Sequence, residues 1–279
     1  MNSPSLVSIK NLTVDFWRVP GPPALNSVSL EVAPGEAVGL VGESGSGKST
    51  LGFAIAGLLD PNDIQLSGEI LFKGQNLLTI SQDAYREIRG SQIGYIFQDA
   101  SSSLNPLLKI GKQLTHPLMA NGGMSKAEAM VRAKELLDMV EISQSGRRLN
   151  QYPHEISGGM KQRVVIAAAL SRDPSLLIAD EPTTALDVTV QAQIIDLLLR
   201  LKKSLSMSLI FISHDLGVVA RVADRIVVMK DGNIVESGGV EQVLANPKEP
   251  YTQLLLANIP KLRHIDESQS LRFWGNNGR

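Results

Sequence analysis

Nine consecutive residues of this 279-residue chain are suited to holding phosphate: Gly42-Glu43-Ser44-Gly45-Ser46-Gly47-Lys48-Ser49-Thr50. Glycines let a backbone turn sharply and aim successive N–H groups inward, which makes a concave anion site. The apolar run Ala37-Val38-Gly39-Leu40-Val41 precedes the string and Leu51-Gly52-Phe53-Ala54-Ile55-Ala56 follows it. The order is therefore strand, glycine loop, helix, the context that the phosphate-loop pattern G-x-x-x-x-G-K-[ST] requires. A helix starting there adds unpaired N–H groups and the positive end of its dipole. Gly42, Ser44, Gly45, Ser46, Gly47, Lys48, Ser49 and Thr50 are thus the candidate phosphate-binding residues, with Lys48 reaching the β- and γ-phosphates and Ser49 offering a hydroxyl to Mg²⁺.

Further along, Asp180 and Glu181 close the apolar run Ser175-Leu176-Leu177-Ile178-Ala179. A carboxylate there can hold a Mg²⁺-bound water opposite Ser49, and its neighbour can polarise a water attacking the γ-phosphate. An ordinary acidic turn before Pro182 is the other reading. His214 follows the apolar run Leu209-Ile210-Phe211-Ile212 and can steady the attacking water, or simply serve as a hydrogen-bonding residue at a strand end. Gln98, after Gln92-Ile93-Gly94-Tyr95-Ile96-Phe97, can ligate Mg²⁺ or its water. Ser157-Gly158-Gly159 combines a hydroxyl, two glycines and a helix start, which makes either a second anion site or a plain helix cap. Phe16 and Trp17 close an early strand, where an aromatic ring can stack on a base or pack into the core.

The elements that carry these residues alternate. Residues 6–18 and 25–33 suggest two strands joined by Val19-Pro20-Gly21-Pro22-Pro23, and 67–74 a third. A helix is predicted over 83–90, turn chemistry over 101–106, and a Ser125-capped amphipathic helix with Met130, Ala133, Leu136, Leu137 and Val140 on its apolar face. The stretch from about 105 to 155 therefore reads as a helical insertion. Beyond it come a helix from Ser157 to Leu170, the strand before Asp180, a helix over about 188–204, the strand 209–212, a helix near 216–223, and strands at 225–229 and 233–236. Such βα alternation means a mainly parallel sheet covered by helices, with ligands at the carboxyl ends of the strands. The phosphate loop, Gln98, Asp180, Glu181 and His214 all fall at such ends. A short helix near 251–258 and a loosely ordered tail through Gln269-Ser270 and Trp274-Gly275-Asn276-Asn277-Gly278 complete the chain.

Composition sets the frame. Apolar residues make up 43% and charged residues 20%, as in an ordinary globular protein. A net charge of −1 supplies no basic field for nucleic acid. The absence of cysteine excludes disulfides, thiolate metal sites and thiol nucleophiles. The first residues, Met1-Asn2-Ser3-Pro4-Ser5, lack the pattern of a signal peptide, and apolar stretches such as Val164-Val165-Ile166-Ala167-Ala168-Ala169-Leu170 are too short to span a bilayer. A membrane role is expected to come through a partner.

Together these motifs resemble the ATP-binding-cassette (ABC) ATPases over about 6–245. The string from Gly42 to Thr50 is similar to the Walker A loop, and Leu176 to Glu181 to Walker B with its catalytic glutamate. Gln98 matches the Q-loop, Ile156-Ser157-Gly158-Gly159-Met160 the signature, Ala185-Leu186-Asp187 the D-loop and His214 the switch histidine. Phe16 falls where the family has its adenine-stacking aromatic, with Trp17 as the other candidate. A narrower resemblance, to the oligopeptide/dipeptide/nickel importer ATPases, rests on Phe97-Gln98-Asp99 leading to Ser103-Leu104-Asn105-Pro106, on Tyr152-Pro153-His154 and Met160. It extends to Ile178 through Thr189, and to Pro250-Tyr251-Thr252 through Ile259-Pro260. Many members carry a cysteine-rich C-terminal segment, and this chain has none.

The resemblance implies an α/β fold with a P-loop NTPase (RecA-like) core and mainly parallel sheet, an N-terminal antiparallel β subdomain and a helical insertion at about 100–165. These form one domain over 1–245, with a C-terminal extension over 246–279. It implies ATP and Mg²⁺ as ligands, with Glu181, His214 and Lys48 catalytic and Ser49, Gln98 and Asp180 at the metal. It also implies a head-to-tail dimer with a second ABC ATPase, in which the Ser157-Gly158-Gly159 loop of one copy closes over the ATP of the other. The expected setting is the cytoplasmic face of the cell (inner) membrane, as a peripheral subunit bound to two transmembrane permease subunits and served by an extracytoplasmic solute-binding protein. The activity implied is ATP hydrolysis powering uptake of peptides or a similar small solute. Two rivals are an exporter ATPase and an ABC ATPase acting on DNA or ribosomes. The second is opposed by the single cassette, the missing coiled-coil arm and zinc-binding cysteines, and the near-neutral charge.

Overall fold

The computed structural model describes residues 5–18, 20–120, 123–184 and 186–257. Val19, Ala185, residues 1–4 and the tail from 258 onward, including Ile259 and Pro260, lie outside the described residues.

The chain begins with β1 (Val7–Phe16) and β2 (Leu25–Val32), followed by β3 (Ala37–Val41), α1 (Lys48–Ala56), β4 (Ile64–Phe72) and the short β5 (Gln75–Asn76). Strands β1, β2, β4 and β5 form an antiparallel sheet in the order β2-β1-β4-β5. One face is apolar because the pattern alternates: Leu25, Val28, Leu30 and Val32 are buried in β2, and Val7, Ile9, Leu12 and Val14 in β1. Strand β4 starts three residues earlier than the sequence suggested. Its pairing with β1 shifts register at Gly68 (φ 102), between the Lys10–Glu69 and Thr13–Ser67 pairs.

After α2 (Gln82–Ser91) and β6 (Ile93–Ile96) the chain leaves the sheet for α3 (Ala100–Ser103), α4 (Ile110–Met119), α5 (Lys126–Met139), α6 (Ser145–Arg148) and α7 (Gly158–Ala169). It returns as β7 (Leu176–Asp180), α8 (Val188–Leu205), β8 (Ser208–Ile212), α9 (Leu216–Val222), β9 (Arg225–Lys230) and β10 (Asn233–Gly239), and ends with α10 (Val240–Ala245) and α11 (Pro250–Ala257). The second sheet has the order β10-β9-β3-β8-β7-β6, parallel except for the antiparallel β10. All five residues of β3, β7 and β8 are buried, as expected for parallel strands covered on both faces.

The period-2 pleat sends alternate residues of these strands into two cores. Val38, Leu40, Leu176, Ile178, Ile210 and Ile212 pack with α1 and the antiparallel sheet. Ala37, Val41, Leu177, Ala179, Leu209 and Phe211 pack with the helices on the other side.

Three details of the helical region differ from the sequence reading. Residues 100–103 form a helical turn because the Asp99 carboxylate accepts from Ser101 N at 2.8 Å and the Asp99 carbonyl accepts from the hydroxyls of Ser102 and Ser103. Helix α4 continues through Pro117, a residue that hides it from pattern reading. On α5 the buried stripe is Ala129, Ala133, Leu136 and Leu137, whereas Met130 is 40% exposed. Met130 sits one residue, about 100°, round the helix from that stripe.

Candidate phosphate and hydrolysis site

Four adjacent parallel strands, β3, β8, β7 and β6, end on one edge of the sheet. Their ends deliver the phosphate loop, His214, Asp180 with Glu181, and Gln98 in that spatial order. Residues far apart in sequence become neighbours because parallel pairing sets Leu40 against Ile212, Ile212 against Asp180 and Ala179 against Ile96.

The loop is tightly enclosed at its two ends, whereas Glu43, Ser44 and Gly45 between them are exposed. Gly42 has φ 152, and a Cβ there would lie 2.2 Å from Met229 O. Gly47 precedes α1 with φ 100, and its Cβ would lie 2.7 Å from Ala24 O. Only glycine fits at either position. Lys48 is 5% exposed, and its ammonium donates to Gly42 O (2.8 Å), Glu43 O (2.7 Å) and Ser46 Oγ (3.3 Å). Burial pulls its pKa below the usual lysine value, against the opposing pull of Glu181, Asp180 and Glu43. A desolvated ammonium resting on neutral carbonyls gains by meeting an anion.

Beside it, Ser49 Oγ donates to Asp180 Oδ1 at 3.1 Å and Tyr95 Oη donates to Asp180 Oδ2 at 3.0 Å. Burial pushes the Asp180 carboxyl up, against those two hydrogen bonds, and pushes the Tyr95 phenol up strongly. A buried carboxylate in contact with a hydroxyl is a hard oxygen donor set whose charge a cation would relieve. Among the described residues no group of three or more His, Cys, Asp or Glu side chains is arranged to hold a metal. Mg²⁺ at phosphates needs only one or two protein ligands, so the pair fits it.

Glu181 is the junction of the site. It has φ 46, an uncommon conformation for a non-glycine residue, and its N–H is tied to Ile212 O at 2.9 Å. Its Oε2 accepts from Gln98 Nε2 and from Thr184 Oγ1, both at 2.9 Å, and its Oε1 lies 3.1 Å from His214 Nδ1. Burial pushes this carboxyl up, but the hydrogen bonds from His214 and Thr184 outweigh it and hold the pKa below the usual glutamate value. The carboxylate's contribution to stability is therefore full above the ordinary glutamate pKa and lost as pH falls through the depressed one. Gln98 makes its hydrogen bond to Glu181, not to Ser49 or Asp180, which leaves Oε1 as the Gln98 atom able to face a cation.

The remaining candidates sit elsewhere. Ser157 caps α7, accepting from Met160 N at 3.3 Å, and makes no hydrogen bond to the phosphate loop. Ser157 and Gly158 are exposed, and a Cβ on Gly159 would meet Val190 of α8 at 2.8 Å. Phe16 is half-buried against the antiparallel-sheet core, while Trp17 is 67% exposed. Asp187 caps α8 through Thr189 N and Val190 N. Sequence reasoning missed Tyr95 and Thr184. Tyr95 is the only polar side chain of β6, a signal that was available; Thr184 showed none before Glu181 turned back on it.

These features define a P-loop ATPase core with a lysine-bearing loop, a hydroxyl–carboxylate pair and a glutamate clamped from three sides. The family model described as ABC transporter matches residues 25–184. The chain is 49% identical over 266 residues to the oligopeptide transport ATP-binding protein OppD of Bacillus subtilis (strain 168), covering 95% of this chain and 74% of that protein. It is 48% identical over 262 residues to the dipeptide transport ATP-binding protein DppD of Lactococcus lactis subsp. cremoris (strain MG1363), covering 93% of this chain and 75% of that one. Among solved structures, the ATP-binding cassette MJ0796, a dimer in a post-hydrolysis state bound to ADP and Pi, superposes with a TM-score of 0.73. It is 34% identical and covers 84% of this chain and 98% of its own. CbiO1 from Clostridium perfringens, part of the ABC transporter complex CbiONQ, gives a TM-score of 0.75 at 27% identity, covering 93% and 98%. The chain belongs to the ABC transporter family and is one of its ATPases.

Proposed function

We propose that this ATPase powers import of peptides or a similar small solute, as a peripheral subunit on the cytoplasmic face of the cell membrane. Its partners are two permease subunits and a second ABC ATPase, which pairs with it head to tail, and an extracytoplasmic binding protein supplies the solute. Support comes from relatives near 49% identity along most of the chain that are named as peptide-transport ATP-binding proteins. Among the described residues no helix is long and apolar enough to cross a membrane, which fits attachment through partners.

The observation that carries the chemistry is the clamp on Glu181. In this reading Glu181 accepts the proton of the attacking water, His214 orients it, and Lys48 with the loop amides stabilises charge on the phosphates. Ser49, Asp180 and the Gln98 carbonyl oxygen would hold Mg²⁺ or its water; when bound, that ion neutralises phosphate charge. Ser157 and Gly158, exposed at a helix start, together with the half-buried Gly159 are the surface offered to the ATP of the second ATPase. Gln98 also follows Phe97, which is 42% exposed and lines a groove of about 220 Å³ with Leu58, Arg89, Pro117 and Arg172. A permease helix seated there would act directly on the residue that holds Glu181.

Two predictions arise here. Phe16→Ala is expected to raise the ATP KM with little change in kcat, read from steady-state ATPase kinetics, because stacking contributes to binding rather than to the bond-breaking step. Thr184→Val removes a hydrogen bond that opposes burial at Glu181, so the acid limb of the pH–rate profile moves to higher pH. An acid limb unmoved by T184V would separate Glu181 from the rate. The importer reading is tested by affinity purification of the tagged chain from detergent-solubilised membranes. Recovery of two multi-span permeases and a second ATPase supports it; ribosomes or DNA-repair factors in their place overturn it.

A further inference from the structure

The C-terminal helix reaches the phosphate loop. Tyr251 Oη, in the first turn of α11, accepts from Glu43 N at 3.1 Å. That N–H belongs to the peptide linking Gly42 to Glu43, and the carbonyl of the same peptide, Gly42 O, accepts from Lys48 Nζ at 2.8 Å. One planar group is thus held at both ends, by the tyrosine hydroxyl and by the lysine ammonium. Because the peptide is rigid, rotating it breaks both bonds together. Hydrogen bonds at the two ends of one amide also polarise each other.

Gly42, with φ 152, has the widest conformational choice of any residue type, so its orientation must be imposed from outside. The Tyr251 ring is itself anchored: Lys230 Nζ lies 5.1 Å from its centroid, and Lys230 follows Met229, whose carbonyl abuts Gly42. Helix α11 is in turn pinned by Glu236, a carboxylate 8% exposed on β10, which accepts from Lys248 N (2.9 Å) and Glu249 N (3.1 Å). Thr252, next to Tyr251, is fully buried. A continuous set of contacts runs from β10 through α11 to the loop that carries Lys48.

We propose that Tyr251 is a positioning residue for the phosphate loop: its hydroxyl fixes the peptide from Gly42 to Glu43, presets Lys48, and ties nucleotide affinity to the docked state of α11. The proposal rests on the family's ATP binding and not on the importer reading, so it stands or falls independently of transport. Tyr251 acts through the loop and touches no reacting atom. Once nucleotide is bound its phosphates themselves hold Lys48 in place, so the loss of Tyr251 falls on preorganisation for binding and changes kcat at saturation little. Linkage is reciprocal, so nucleotide at the loop also holds α11 down.

The test uses Tyr251→Phe, which keeps the ring, its packing and the contact with Lys230 and deletes one oxygen. Calorimetric titration with ADP is expected to give a Kd raised about 3- to 10-fold, the range for one hydrogen bond, with ATPase kcat at saturating ATP within about twofold of the parent. In the parent, saturating ADP is expected to slow amide hydrogen exchange in α11 more than in α9, and Y251F is expected to lose that excess. An unchanged Kd, a fall in kcat at constant KM, or equal protection of α9 and α11 in the parent would each overturn the proposal. A melting temperature for Y251F equal to the parent's separates a positioning effect from a loss of fold.

Discussion

Glu181→Gln is expected to abolish steady-state hydrolysis while leaving nucleotide binding in place, with kcat reduced about 10²- to 10⁴-fold, the range for removal of a positioned general base. Glutamine is isosteric, and its amide oxygen can still accept from Gln98, Thr184 or His214, so the three-sided clamp loses little geometry. What disappears is proton affinity. In the proposed head-to-tail pairing, ATP that binds and no longer turns over is expected to accumulate the closed dimer, which size-exclusion chromatography with ATP would show as a larger dimer fraction for E181Q than for the parent. Hydrolysis at the parental rate would remove Glu181 from the role of base.

Lys48→Ala is the second large effect, and it differs in kind. Lys48 is buried, desolvated and bonded to two loop carbonyls and Ser46. In the proposed site, removing the ammonium takes away the main positive charge offered to the phosphates, and it leaves Gly42 O and Glu43 O without this donor. Charge-assisted hydrogen bonds contribute about 1.5–3 kcal/mol each, so nucleotide affinity is expected to fall about 10- to 100-fold. Hydrolysis falls further, because charge stabilisation grows in the transition state. Fluorescence titration with a nucleotide analogue, alongside kcat, separates the two losses. Equal ATP affinity in K48A and the parent would place the phosphates elsewhere.

Much of this site was legible because its parts are local. The phosphate loop, Gln98, Asp180 with Glu181, and His214 each come after an apolar run, and buried parallel strands leave their ligand-facing chemistry at the carboxyl end, so 176–180 and 208–212 announce what comes after them. The phosphate loop is legible for the same reason: its function is written in nine adjacent residues. Less legible were features decided by tertiary packing. Met130 satisfies a helical period yet is 40% exposed, because its neighbour Ala129 takes the fully buried place in the core. Helix α4 persists through Pro117, against local propensity. Asp99 builds a helical turn from three serines that also suit a loop.

The bond from Tyr251 to Glu43 spans 208 positions, and nothing in either segment's pattern hints at the other. Its partner is a backbone N–H, which carries no sequence signature. Gln98 illustrates the middle case. Its place at a strand end was readable, but its hydrogen bond to Glu181 depends on β6 lying beside β7.

The central claim, an ATPase that drives solute import, is tested most directly by uptake of a radiolabelled dipeptide or oligopeptide into cells lacking this chain. The cells are complemented either with the parent or with Glu181→Gln, expressed to equal levels. The account predicts uptake restored by the parent and abolished with E181Q. Restoration by both, or uptake indifferent to the presence of the chain, would contradict it.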